Sequence, residues 1–452
     1  MKCNNTTGKN ILFSKEDLCK LIVPLVLEQA LAITVGMIDT MMVSSVGEAA
    51  VCGVSLVDMI NNLIFNILAA LSTGGAVIAS QYLGAGKKEE ARVSAKQLIV
   101  TSIEIAAVIM FLVVVVRCQI LNLLFGKIET DVMQNALIYL TITAISFPFL
   151  ALYNSCAALF RCMNNSRITF KVSVLINLLN IAGNALCVLV LHMGVAGVAI
   201  PTLVSRVVGG VILYRLLKNP KHLIYIDKEK YSFQPCIVKK ILQIGIPSGI
   251  ENGIFQLGRV LVVSIVSGFG TVQIAANGVA NGLGSMGCII PSGVNLAMIT
   301  VIGRSVGAGD LKQVRYYTGK LLMIAYAGIA VTNIIILGGL KWILLLYGIS
   351  EETREVVTTL VWIHNGIGIL MWPASFTLPN MLRACNDVKF TMLVSVCSMI
   401  VLRIGFSYVL GVQMEMGIVG VWIAMVLDWI CRISFFVWRY FSKRWMLHCK
   451  IV

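Results

Sequence analysis

Long apolar segments alternate with short polar ones along almost the whole chain. Twelve of these segments are about 20 residues long, which is the length that an α-helix needs to cross a bilayer. We place them at 21–44, 57–83, 98–116, 136–158, 172–191, 195–216, 241–266, 279–302, 321–346, 356–378, 390–410 and 417–437. The pattern therefore predicts an all-α, polytopic membrane protein with about twelve transmembrane helices.

The composition supports this prediction, since 58% of the 452 residues are hydrophobic and only 13% are charged. A soluble domain of this size does not need so much apolar sequence. The 13 cysteines form no CxxC pair and no cluster with histidine, so we expect neither a metal site nor a disulfide framework. Because no catalytic constellation is visible, we expect the protein to be neither an enzyme nor a cofactor-binding protein.

The net charge of +15 is distributed very unevenly between two sets of loops. If twelve segments cross the membrane, one set of alternate loops, with both termini, holds 28 basic residues and the other set holds four. Basic loops remain in the cytoplasm, so we expect a monomer in the cell membrane with both termini cytoplasmic. Because the basic residues are spread over seven segments, they do not indicate a nucleic-acid partner.

The two halves of the chain resemble each other at an offset of 223 residues. VPLVLEQALAITVGMID begins the first half and IPSGIENGIFQLGRVLV the second, so that Pro24 matches Pro247 and Glu28 matches Glu251. Three further pairs of segments correspond: LGAGKKEEAR with VGAGDLKQVR, LFRCMNNSR with MLRACNDVK, and Gly194-x-x-Gly197 with Gly417-x-x-Gly420. We interpret the glycines of the two GAG loops as helix C-caps.

This repeat predicts two six-helix lobes, at 1–217 and 241–452, joined by a cytoplasmic linker at 218–240. Each repeat has an even number of spans, so both lobes have the same orientation and their axis lies along the membrane normal. Two such lobes enclose a central cavity that can open to either side. The organisation favours a transporter over a receptor or an enzyme.

Two acids, Glu28 and Asp39, lie on one stripe of the first predicted helix. An acid inside a membrane is costly and by default indicates a functional site. Asp39 has no acidic counterpart in the second half, where Val262 occupies its position. We therefore predict a cation or proton site in the first lobe; an acid that is hydrogen-bonded only for packing is the alternative.

The fifth and sixth segments supply polar partners for this acid. Asn180 and Asn184 share one helix face, and Thr202 follows in the next segment. Amide and hydroxyl oxygens with one carboxylate are suited to a hard cation or to a proton-linked network. Asparagines that merely join helices are the alternative interpretation.

Other charged residues also lie in or near the apolar segments, and four of them have a simple interpretation. Asp58 and Glu104 are close to predicted segment ends, where we expect them to be solvated. Asp428 and Arg432 are four residues apart on one helix, and we expect them to pair.

Taken together, these motifs resemble the multidrug and toxic compound extrusion (MATE) family of antiporters, in particular its prokaryotic, DinF-like branch. The resemblance rests on P-x3-E-Q…G-x2-D-T-x-M-V-S in the first segment, the LGAG and VGAG loops, the R-C-x-N-N and R-x-C-N-D loops, and N-x2-N-x3-N in the fifth segment. It covers almost the whole chain. It implies two six-helix lobes in a V shape and export of cationic, amphipathic compounds, driven by inward movement of Na+ or H+.

The resemblance also implies roles for individual residues. Asp39 matches the cation-coupling carboxylate, and Asn180, Asn184 and Thr202 match its network partners. The position of Asn184 is often an aspartate in that branch, so the site here has one charge fewer. The side chains that we expect to bind substrate are Glu28, Glu251, Gln256 and Arg259.

Three other functions remain open at this point. A flippase for lipid-linked oligosaccharides or peptidoglycan precursors belongs to the same superfamily, and Arg206, Arg259 and Arg403 inside the apolar segments would suit a diphosphate headgroup. A channel needs a selectivity ring, whereas nothing in this chain repeats more than twice. A non-transporting scaffold would not need acids inside the membrane.

Overall fold

The computed structural model describes residues 12–126, 129–227 and 231–449, which are predominantly helical and contain no β-strand. The first lobe consists of α1 (Lys15–Ser44), α2 (Glu48–Gly84), α3 (Lys88–Val115), α4 (Thr130–Ile145 and Phe147–Cys162), α5 (Ser166–Val190) and α6 (Ala196–Leu217). The second lobe consists of α7 (Pro235–Ser267), α8 (Thr271–Gly287 and Ile289–Gly307), α9 (Leu311–Leu346), α10 (Glu351–Ala384), α11 (Val388–Gln413) and α12 (Gly417–Phe441). A short helix, Arg117–Phe125, precedes α4, and a 3₁₀ turn, Arg444–His448, follows α12.

The predicted number of spans agrees with the structure. Among the described residues, 11 helices are long and apolar enough to cross a membrane, and the two halves of α4, bent by 44°, make a twelfth span. The bend lies at Ser146, directly before Phe147 and Pro148, because a proline lacks the N–H that would continue the helical ladder.

The repeat is visible in the backbone itself. Residues with a positive φ occur in matched pairs. Because this conformation is rare outside glycine, the matching is informative. The pairs are Gly86 (77°) and Gly309 (73°), Asn164 (61°) and Asn386 (65°), and Gly194 (59°) and Gly417 (57°). The matching segments found in the sequence therefore adopt matching turns.

The two glycines of each GAG loop serve different purposes. The second glycine has the positive φ of a helix C-cap, as predicted. The first glycine allows close approach between the lobes. A Cβ on Gly84 would lie 2.1 Å from the carbonyl oxygen of Arg304, and a Cβ on Gly307 would lie 1.9 Å from that of Gln81. The ends of α2 and α8 therefore cross in direct backbone contact.

The lobes share buried apolar clusters at only one end of the described molecule. At the end that carries the basic loops, the start of α1, with Phe13, Leu18 and Leu21, is buried among α8, α9 and α10 of the second lobe. Reciprocally, Ile237 and Ile241 of α7 are buried in the first lobe. At the other end, two separate apolar clusters lie each within one lobe. The lobes are thus joined at the basic end and separate at the opposite end.

Candidate functional site

The four residues predicted to form a cation site lie in one chain of hydrogen bonds. Asn184 Nδ2 donates to Asp39 Oδ1 at 2.8 Å and to Asn180 Oδ1 at 3.4 Å. Asn180 Nδ2 in turn donates to Thr202 Oγ1 at 3.0 Å. The chain therefore links α1, α5 and α6 inside the first lobe. Asn177 stays outside it and donates to Ser173 Oγ at 3.3 Å.

The local sequence explains why these helices come so close. Gly183 directly precedes Asn184 on α5, and a Cβ there would lie 2.7 Å from the side chain of Pro201 on α6. The absence of that Cβ lets α6 pack directly on α5 and brings Thr202 within reach of Asn180. Both asparagines are buried, whereas Asp39 is half-buried. The carboxylate therefore has access to the cleft while its partners are held inside the lobe.

A second acid, Asp58, lies close to this network, so the prediction of a solvated acid is wrong at this position. α2 begins at Glu48 rather than near residue 57, so Asp58 lies about three turns inside the helix instead of at its end. Its carboxylate lies close to the side chains of Tyr139 and Asn61, and it is close enough to act electrostatically on Asp39. Glu104, by contrast, is exposed, although it lies more than four turns inside α3.

Arg206 is the counter-charge for this pair of acids. Its Nη1 donates to Ser146 Oγ at 2.6 Å, at the break in α4, and its guanidinium lies 4.4 Å from the centre of the Phe65 ring. Asp39 and Asp58 both act electrostatically on it. Two acids and one arginine leave this part of the first lobe with one uncompensated negative charge. Such a charge favours the binding of a cation.

The matched glutamates of the two lobes each lie near an arginine of the same lobe. Glu251 Oε1 forms an ion pair of 2.8 Å with Arg383 Nη2 and is buried. Glu28 accepts from Thr169 Oγ1 at 3.4 Å and lies within electrostatic reach of Arg161. Each of these acids therefore has a basic residue of its own lobe within reach. Their role in substrate binding remains a prediction.

Gln256 and Arg259 line cavities that reach the space between the lobes. A cavity of about 410 Å³ in the second lobe is bordered by Glu251, Gln256 and Arg383. A second cavity, of about 260 Å³, is bordered by Gln256 and Arg259 of α7 and by Met59 of α2. The predicted substrate residues on α7 thus share a lining, whereas Glu28 borders neither of these cavities.

The predicted pair on α12 is present. Arg432 Nε donates to Asp428 Oδ1 at 2.9 Å, and both side chains are buried. The same nitrogen also donates to Ser398 Oγ at 3.1 Å, which joins α12 to α11. This ion pair therefore has a structural role within the second lobe.

Sequence reasoning did not include Asp58, Tyr139 and their hydrogen-bonded neighbours in the site. A signal was available, because Asp58, Asn61 and Asn62 are polar residues close together in one apolar helix. Their meaning depended on knowing where α2 begins, and segment ends are the least certain part of a hydropathy pattern.

In the part of the chain that the structure describes, twelve membrane-spanning helices form two repeated lobes with a cleft between them. Together with the network of carboxylates and amides inside one lobe, this arrangement defines a membrane transporter. A family model described as MatE matches the chain twice, over residues 24–186 and 247–409, again 223 residues apart. The chain therefore belongs to the MatE family, the multidrug and toxic compound extrusion transporters, as the resemblance indicated.

Similar proteins agree with this assignment over almost their full lengths. The chain is 26% identical to the uncharacterized transporter YisQ of Bacillus subtilis (strain 168), over 94% of this chain and 93% of the relative. It is 24% identical to the probable multidrug resistance protein NorM of Thermotoga maritima, over 95% and 93% respectively. A solved structure of a MOP superfamily transporter from Pyrococcus furiosus matches with a TM-score of 0.89 at 19% identity, covering 96% of this chain and 97% of that one. These relatives are transporters rather than enzymes, and they do not favour the flippase alternative.

Proposed function

We propose that this protein is a cation-coupled antiporter, which exports cationic, amphipathic compounds from the cell in exchange for H+ or Na+. Asp39 is the group that binds the coupling ion, and Asn180, Asn184 and Thr202 position it. The protein acts as a monomer in the cell membrane, with the basic loops and both termini in the cytoplasm. The end where the lobes separate then faces outward.

The observation that carries this proposal is the environment of the Asp39 carboxylate. Asn184 donates to it at 2.8 Å, and the amide oxygen of that asparagine, Oδ1, is buried without a hydrogen-bond partner among the described residues. A buried carbonyl oxygen costs free energy unless something satisfies it. A protonated carboxyl group could donate to it, and Na+ could accept it as a ligand. The residues present therefore fit either coupling ion.

The position of Asp39 on α1 supports a link between its charge and the arrangement of the lobes. The end of α1 carries the carboxylate, whereas its start is buried in the second lobe through Phe13, Leu18 and Leu21. α1 is one continuous helix between these two ends, with Pro24 inside it, so the hydrogen bonds of Asp39 and the packing against the second lobe lie on the same element. Neutralisation of Asp39 then changes which arrangement of the lobes is favoured.

The experiment uses the purified protein in liposomes, with ethidium efflux followed under a Na+ gradient or a proton gradient imposed separately. Asp39→Asn should reduce gradient-driven efflux to the level of protein-free vesicles while ethidium binding without a gradient is retained. Glu104→Gln is the matched control, because it removes an exposed carboxylate from α3 of the same lobe. Efflux by Asp39→Asn at the wild-type rate would refute the proposal. The gradient that drives the wild-type protein identifies the ion.

A further inference from the structure

The second lobe contains a small polar cavity at the place that corresponds to the cation site of the first lobe. It has a volume of about 40 Å³, and Arg259 connects it to the cavity of about 260 Å³ between the lobes. Four helices contribute to its lining, through Arg259 and Val262 of α7, Asn277 and Asn281 of α8, Arg403 of α11 and Trp422 of α12.

The repeat shows that the acids of the first site are replaced here. At the offset of 223, Asp39 corresponds to Val262 and Asp58 corresponds to Asn281. Both correspondences are firm, since the flanking pairs of α1 with α7 and of α2 with α8 keep the same spacing. Where the first lobe places two carboxylates, the second lobe therefore places none.

A positive charge is added at the same place. The offset is 222 for Asn164 and Asn386 but 223 for Gly194 and Gly417, so the segment with α11 holds one residue more than the segment with α5. This extra residue is accommodated in a π-helical segment, Met399–Gly405, that α5 lacks at the equivalent position. Arg403 lies in this segment, at or next to the position of Asn180. Single-residue π-bulges of this kind are frequent at functional sites.

The two arginines of the cavity are not compensated by acids. Arg259, which is exposed to the cavity between the lobes, has no ion pair or hydrogen bond with any residue that the structure describes, and Arg403 Nε is buried without a partner in the same part of the chain. They are close enough to repel each other. The acid that acts on Arg403 is Asp428, which is already bound by Arg432 at 2.9 Å. Three arginines and one aspartate leave two uncompensated positive charges.

Uncompensated charges inside a membrane protein are costly and require a partner or an aqueous cavity. A guanidinium group is especially suited to carboxylates, because its planar N–H groups match the two oxygens. We propose that this second-lobe cavity binds the anionic group of the transported compound, so that the substrates are amphipathic zwitterions that carry a carboxylate as well as a cationic group. This inference rests on the proposed transport function and specifies its substrate class.

The rest of the lining is suited to an amphipathic compound with a flat ring. Trp422 borders the cavity, and its Nε1 donates to Asn277 Oδ1 at 3.1 Å, which fixes the indole. The adjoining cavity continues past Gln256 to Met59 and Asn62 on α2 of the first lobe. A carboxylate on the arginines thus directs the remainder of the molecule toward the negatively charged first lobe.

The test uses equilibrium dialysis to measure the affinity of the purified protein, in phosphatidylcholine nanodiscs, for two probes. The probes are a fluoroquinolone zwitterion and its ethyl ester, which keeps the ammonium group but loses the carboxylate charge. The wild-type protein should bind the zwitterion roughly 10-fold more tightly than the ester, as expected for hydrogen bonds to a charged group. Arg403→Gln and Arg259→Gln should each reduce this preference to less than about threefold, and Arg403→Lys should retain part of it.

Two controls separate the possible outcomes. Lys389→Gln, which removes an exposed charge from α11, should keep the full preference. The dialysis is carried out without an ion gradient, so that a failure of ion coupling, which is seen only in the efflux assay, is distinguished from a failure of anion recognition. Equal binding of both probes to the wild-type protein, or a preference that survives in both glutamine variants, would overturn the inference. Loss of the wild-type preference in phosphatidylglycerol nanodiscs would also overturn it, because a lipid headgroup would then occupy the site.

Discussion

The crossing of α2 and α8 makes a quantitative prediction about Gly307→Ala. An added Cβ would lie 1.9 Å from the carbonyl oxygen of Gln81, whereas ordinary contact begins at 3.4 Å. The neighbouring atom is backbone, so the helices must separate by about 1.5 Å, the difference between these distances. Overpacking of this kind costs about 1–3 kcal/mol. The cost applies only while the basic ends of the lobes are in contact.

A cost confined to one arrangement shifts the balance between the two arrangements. At about 1–3 kcal/mol, the population with the basic ends apart should increase roughly 5- to 150-fold relative to the wild-type protein. Electron–electron double resonance can measure this change through spin labels at Lys88 and Lys312, which follow the two crossing helices. The labels should be attached through an unnatural amino acid, because the chain has 13 cysteines.

The matched control is Gly319→Ala on α9, a helical glycine with nothing within 4 Å of the added Cβ. This variant should leave the distance distribution unchanged. Gly84→Ala should act like Gly307→Ala, since its Cβ would lie 2.1 Å from the carbonyl oxygen of Arg304. If Gly307→Ala keeps the wild-type distribution, the close approach of these helices does not control the arrangement of the lobes.

Two further predictions concern stability, measured as the thermal unfolding midpoint in detergent. Arg383→Gln removes one partner of a buried ion pair and should lower the free energy of unfolding by about 3–5 kcal/mol. The double variant with Glu251→Gln should recover most of this loss. An unchanged midpoint in the single variant would contradict the pairing. Tyr317→Phe removes a hydroxyl group that accepts from Phe13 N at 2.8 Å and donates to Phe13 O at 3.0 Å, so it should cost about 1–2 kcal/mol and speed hydrogen exchange at Phe13. Wild-type exchange at that amide would refute this link between the start of α1 and the second lobe.

The two lobes differ in charge although they share one fold. In the first lobe, Asp39 and Asp58 outnumber Arg206, and in the second lobe Arg259 and Arg403 have no acid of their own among the described residues. A repeat duplicates the backbone, since turns and close helix contacts constrain it, but it leaves cavity side chains free to diverge. The function of each lobe can therefore be sought in this difference in charge.

The sequence by itself determined the membrane fold, the number of spans and the internal repeat. These features can be predicted one segment at a time, because hydropathy and turn residues act over short distances. Asp39 could be singled out for the same reason, because the local sequence is sufficient to show that a carboxylate inside an apolar helix is unusual. Its asymmetry with Val262 followed from the repeat alone.

The tertiary structure decided which side chains meet. The sequence predicted a substrate-binding role for Glu251 but gave it no partner, whereas in the structure it pairs with Arg383, which lies more than a hundred residues away in the chain. Asp58 appeared to be solvated because the hydropathy pattern placed the start of α2 near residue 57, and only the structure brings Tyr139 of α4 close to it. Contacts between helices depend on crossing geometry at small residues such as Gly183 and Gly307, and hydropathy carries no information about that geometry.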